Sequence, residues 1–69
     1  MKGTVIRTLP LKGFCFIMGE DGHSRFAHAS SFTEGQTAFE RLHEGQAVSF
    51  DPEENARGKR AANVRTVER

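Results

Sequence analysis

Two short stretches carry the residues with the most distinctive chemistry, Lys12-Gly13-Phe14-Cys15-Phe16-Ile17 and Phe26-Ala27-His28. Along an extended strand successive side chains point to opposite faces, so Phe14 and Phe16 share one face while Cys15 and Ile17 share the other. The same alternation pairs Phe26 with His28 and sets Arg25, Ala27 and Ala29 opposite them. If Ile17, Ala27, Val5, Val48 and Val64 line an interior, Phe14, Phe16, Phe26 and His28 point outward together. Three exposed rings on neighbouring strands favour aggregation unless they serve a purpose. The purpose that suits them is stacking on nucleobases, because every base has a π-face and stacking demands no particular sequence. The opposite phase would bury the three Phe and turn Cys15, Ile17 and Ala27 to water, for which Cys15 and Ile17 are poorly suited.

Other reactive groups lead nowhere comparable. Cys15 is a potential nucleophile, but an inward orientation raises its pKa and hides it. Glu53-Glu54 falls in a charged stretch that reads as solvated surface, and no Ser or Cys sits in an elbow-like turn beside a His. No catalytic residue is expected. His23 reads as a turn residue and His43 as a connector residue, and neither Cys nor His recurs at zinc-ligand spacing, so no metal and no cofactor are expected. A single cysteine excludes an intramolecular disulfide.

The elements that must position these residues are short. Residues 2–9 are rich in β-branched side chains and stop at Pro10, reading as a first strand. Residues 12–18 form a second, and Glu20-Asp21-Gly22-His23 a turn whose Asp-Gly pair is a strong hairpin signal. Residues 24–30 form a third. A long connection runs from Ser31 to Glu44, in which Ala38, Phe39 and Leu42 make one apolar helical turn confined by Gly35 and Gly45. A fourth strand spans 46–51 and ends at Pro52. A charged loop from Glu53 to Lys59 precedes a fifth strand from Arg60 to Val67. Five short strands and one long connection predict an all-β fold, a small antiparallel barrel whose closure removes unpaired edges.

Sixty-nine residues make one domain, 1–69. A chain this short buries only about 60% of the surface it exposes when unfolded, and a core of that size seldom contributes more than about 3–5 kcal/mol of net stability. Six Phe and 36% hydrophobic residues exclude disorder. No apolar run reaches the roughly 18 residues a membrane span needs, and the Met1-Lys2 opening lacks a signal peptide's apolar stretch, so a soluble cytoplasmic protein is expected. The net charge of +1 hides an uneven distribution: residues 1–33 carry +2, residues 34–54 carry −5 and residues 55–69 carry +4. A fold that brings the two ends together has a basic face able to attract an anionic polymer.

The string Lys12-Gly13-Phe14-Cys15-Phe16-Ile17 resembles the first RNA-binding motif of the bacterial cold-shock domain, usually Lys-Gly-Phe-Gly-Phe-Ile. Phe26-Ala27-His28 resembles the second, usually Val-Phe-Val-His-Phe. Lys2-Gly3-Thr4-Val5 is similar to the family's opening strand, Phe39 to Leu42 and Glu44 to Phe50 to its connector and fourth strand, and Arg57-Gly58 with Ala61 to Val64 to its last loop and strand. The register holds from residue 2 to residue 64. The resemblance implies a five-stranded OB-fold barrel that binds single-stranded RNA or DNA. It further implies stacking surfaces at Phe14, Phe16, Phe26, His28 and Phe39, with Lys2, Lys12, Arg57 and Lys59 near the phosphates. Phe32 and Phe50 are left for packing.

The chain also departs from the pattern. Ile6-Arg7-Thr8 stands where the family usually has Lys-Trp-Phe, Ala29 replaces the Phe after the motif histidine, and Cys15 replaces a Gly. Arg7 offsets part of the loss, because a guanidinium plane stacks on a base and neutralises phosphate. The expected function is a single-strand nucleic-acid binder, acting as an RNA chaperone or a regulator of transcripts, a monomer or weak dimer with no membrane and no small-molecule cofactor. The alternative is a barrel whose aromatic face serves protein contacts or self-association.

Overall fold

The computed structural model describes residues 1–56 and 58–67. Strand β1 (Lys2–Leu9) is joined to β2 (Phe14–Gly19) by a tight turn in which the Lys12 and Gly13 amides both donate to the Leu9 carbonyl at 3.0 Å. Gly13 takes φ +80°, a conformation that a side chain disfavours. Strand β3 (Ser24–His28) follows the Asp21-Gly22 turn as expected, with the Gly19 amide donating to the His23 carbonyl at 2.9 Å. The third strand stops at His28, short of residue 30, because Ala29–Ser31 winds into a 3-10 turn. The long connection then contains α1 (Gln36–Glu40), a single short helix where the apolar turn was expected.

The β4 and β5 strands differ most from expectation. β4 runs Ala47–Asn55, straight through Pro52, and β5 runs Gly58–Thr66. What reads in sequence as a charged loop is therefore a hairpin arm. Pro52 is tolerated because β1 pairs with β4 only at Ala47, Val48 and Ser49, so the outer half of β4 has a free edge where no amide is required. An extra residue on β5 opposite Ser49–Asp51 is accommodated by Asn63 at φ 49°, whose side-chain amide donates to Asp51 Oδ2 at 2.8 Å. Asn is among the few L-residues that adopt this conformation readily.

The sheet closes in the order β1-β2-β3-β5-β4. Every pairing is antiparallel except β3 with β5, which run parallel and meet at Phe26 opposite Arg60. The interior holds Val5, Cys15, Ile17, Ala27, Val48, Phe50, Ala61 and Val64, with Ala29, Phe32 and Phe39 closing one side. All five residues expected to line the interior do so, and Phe32 and Phe50 pack as expected. Gly3 allows the close approach this needs, since a Cβ there would lie 2.6 Å from the Met18 carbonyl oxygen.

One irregularity sets the face on which Arg7 lies. Val5 pairs with Ile17, yet Arg7 pairs with Phe16, so Ile6 is an extra residue that bulges β1. Strict alternation would put Val5 and Arg7 on the same side. The bulge lets Val5 stay buried while Arg7 turns to solvent beside Phe16.

Candidate nucleic-acid interface

Strand register assembles the outward residues into rows. Leu9, Phe14 and His28 form one row across β1, β2 and β3, and Arg7, Phe16, Phe26 and Arg60 form the next across β1, β2, β3 and β5. Side chains opposite one another in such rows lie close enough to touch. The three Phe are half-buried, neither packed in the interior nor fully open. Their ring centroids lie 5.7 Å apart for Phe14–Phe16, 5.1 Å for Phe14–Phe26 and 6.3 Å for Phe16–Phe26. Phe14 and Phe16 are nearly perpendicular, at 84°, the edge-to-face arrangement that the ring quadrupole favours. Each ring therefore braces its neighbours while keeping surface toward solvent.

His28 joins this cluster with its ring 6.4 Å from Phe26. Its Nδ1 accepts the Ser30 backbone N–H at 3.1 Å and lies 3.0 Å from the Ser30 hydroxyl. The ring thus caps the 3-10 turn. Accepting at Nδ1 puts the proton on Nε2, which remains available as a donor.

The expected cations are distributed unevenly around the rings. Arg7 lies opposite Phe16, and Lys12 is exposed in the turn that leads into Phe14. Lys59 lines a groove of about 360 Å³ with Phe26, Asn55, Gly58 and Arg60, its Nζ 3.2 Å from a Glu54 carboxylate oxygen. Lys2 lies at the far end of β1, in register with Ser49, so the fold does not bring it to the rings. Arg57 lies outside the described residues.

Phe39 requires a correction. Expected as a stacking surface, it is only 3% exposed and packs edge-on against Phe32 at 5.5 Å. The helical turn that carries it folds inward and completes the core.

Sequence reasoning missed two residues at the interface and one beneath it. Arg60 reaches Phe26 only because β3 and β5 are neighbours, a parallel pairing with no local signature. Leu9 joins the first row through its register with Phe14. Arg25 is the third. Its position on the inward face was legible, but it is 6% exposed and held there by Asp21, with Nη1 2.9 Å from Oδ1 and Nη2 2.6 Å from Oδ2. Its guanidinium also lies 5.5 Å from the centre of the Phe50 ring. These bonds hold the Asp21 carboxyl well below the usual carboxylate range. Four-residue spacing across the turn was the available signal.

Cys15 is fully buried on the inner face, and burial pushes its thiol up to about 11. Among the described residues no group of His, Cys, Asp and Glu could hold a metal ion, and no helix is long and apolar enough to cross a membrane.

Known proteins share this pattern. The family model described as 'Cold-shock' DNA-binding domain matches residues 1–67. The chain is 52% identical over 54 residues to Cold shock protein 1 of Lactiplantibacillus plantarum, covering 77% of each chain. It is 48% identical over 63 residues to Cold shock protein CspC of Bacillus subtilis, covering 91% of this chain and 92% of that one. It is 44% identical over 63 residues to a major cold shock protein of Streptococcus pyogenes, covering 91% of both. With the two aromatic motifs on adjacent strands of a closed five-stranded barrel, and a family match over nearly its full length, this chain belongs to the cold-shock domain family of nucleic-acid-binding proteins.

Proposed function

We propose that the protein binds single-stranded RNA or DNA on the outward face of β2 and β3 and performs no catalysis. The observation that carries this reading is the cluster of Phe14, Phe16 and Phe26, half-exposed on a barrel whose interior is otherwise filled. Unpaired bases stack on these rings, His28 donates from Nε2, and Arg7, Lys12 and Lys59 neutralise phosphates along the path. Holding bases apart from one another disfavours RNA hairpins, which supports a role as an RNA chaperone or a regulator of transcripts in the cytoplasm. The flank on β1 carries Arg7 where relatives of the family usually offer a ring, so charge does more of the binding and stacking less.

The test is titration of a fluorescent oligouridine with the protein and with a variant carrying Phe16→Ala and Phe26→Ala. Saturable binding by the parent and loss of roughly 2–6 kcal/mol in the variant, at about 1–3 kcal/mol per stacked base, support the reading. Equal affinity of the two proteins refutes it. A protein that binds no strand, yet self-associates through the same face, favours the alternative of a protein-contact surface.

A further inference from the structure

The groove beside Phe26 differs from the rest of the aromatic face, because it combines a ring with a planar cation. Arg60 sits directly across from Phe26 in the β3–β5 register. The same groove of about 360 Å³ is lined by Asn55, Gly58 and Lys59. Arg60 Nε is buried and has no hydrogen-bond partner, and the nearest carboxylate oxygen, Glu53 Oε1, is 4.0 Å away, too far for one. No described residue accepts from its terminal amino groups either. The guanidinium therefore lines the groove in a loose ion pair with Glu53 and without a hydrogen bond to a described residue. Its terminal amino groups, not the buried Nε, are the donors open to a ligand. Lys59 differs, being already engaged by Glu54.

A planar two-donor fork beside a stacking ring selects among bases by edge chemistry. Guanine presents two adjacent acceptors, O6 and N7, that match a guanidinium bidentately. Adenine presents an acceptor beside an amino donor on the same edge, and that donor faces the fork unfavourably. Uracil and thymine separate their two carbonyls by an N–H. Cytosine has two adjacent acceptors, but it is the smaller ring and covers Phe26 less fully.

Resting on the nucleic-acid reading above, we propose that the Phe26–Arg60 groove is a guanine-preferring subsite: the base stacks on Phe26 and Arg60 reads O6 and N7. The rest of the face remains sequence-tolerant, as stacking alone predicts. One guanosine placed correctly in a pyrimidine strand therefore raises affinity, whereas additional guanosines at other positions add little.

The test uses a set of oligouridines, each with one guanosine, adenosine or cytidine at a scanned position, titrated against the parent protein and Arg60→Lys. The parent is expected to bind the best guanosine-containing strand about tenfold more tightly than the adenosine or cytidine strands of the same position. Arg60→Lys keeps the charge and loses the fork, so it should bind all strands with the parent's salt dependence and without the guanosine preference. A parent with no positional preference, a preference shared equally by cytidine, or a guanosine preference retained by Arg60→Lys overturns the assignment. Failure of the parent to bind any of the strands overturns the nucleic-acid reading itself, and this subsite with it.

Discussion

The two sides of strand β2 are made from different residues and carry different consequences. Its inner side presents Cys15 and Ile17, both fully buried against Val5, Ala27, Val48 and Val64. Its outer side presents Phe14 and Phe16, which are larger and only half-buried. A core built for apolar area alone would reverse this arrangement. The barrel interior is filled by aliphatic side chains and Phe50, with Phe32 and Phe39 closing one side. Phe14, Phe16 and Phe26 lie outside, where they add less to stability and are open to a ligand. Stability and binding are therefore separated by the pleat of a single strand.

Substitution on the two sides should break that comparison if it is wrong. The largest effect is expected inside. Ile17→Ala leaves a cavity that costs about 2–5 kcal/mol, comparable with the roughly 3–5 kcal/mol that a core of this size seldom exceeds. Its thermal unfolding, followed by circular dichroism, should begin at or below room temperature. Phe16→Ala should melt much closer to the parent yet lose about 1–3 kcal/mol of affinity for oligouridine. Equal destabilisation by the two changes would mean that the outer rings are core residues after all.

A smaller effect is expected where charge enters the barrel. Asp21 is held below the usual carboxylate range by the Arg25 hydrogen bonds. A carboxyl whose folded-state pKa is depressed stabilises the fold above its unfolded pKa of about 3.9 and loses that contribution as pH falls through the folded value. Asp21→Asn should therefore be less stable than the parent from neutral pH down to about pH 5, and the difference in melting temperature should shrink below about pH 4. A difference that stays constant into acid would show that the ion pair adds nothing specific.

The β1 flank offers a still subtler contrast with the rings. Arg7→Ala should weaken binding at low salt and reduce the dependence of log affinity on log salt by about one unit, whereas Phe16→Ala should leave that slope unchanged. Parent affinity that hardly varies between low and moderate salt would contradict the larger share assigned to charge. The smallest signal is chemical. With its thiol at about 11, Cys15 should resist a thiol reagent at pH 8 in the folded protein and react once unfolded.

These contrasts also explain what could be read from sequence. The face of each β2 and β3 residue was legible because alternation is local, and Ile17 and Cys15 chose the inner side by their chemistry. The Asp21-Gly22 turn was legible for the same reason. Pro52 misled, because a proline marks a strand end only where its missing amide matters, and that depends on whether a neighbouring strand is present. Phe39 misled because a resemblance carries a residue's role without its packing, and here Phe32 covers it. Arg60 was invisible as an interface residue, since its place beside Phe26 follows from how β5 docks on β3 and from nothing near it in the chain. The Ile6 bulge likewise needed the partner strand to reveal it.

The most direct measurement is backbone chemical-shift mapping of the isotopically labelled protein on addition of a short oligouridine. If the outward face of β2 and β3 is the binding surface, shifts should concentrate at residues 13–17 and 25–29 and saturate, with smaller shifts in the neighbouring β4–β5 arm, while amides of helix α1 stay in place. Absence of shifts at high oligonucleotide concentration, or shifts centred on α1, would contradict it.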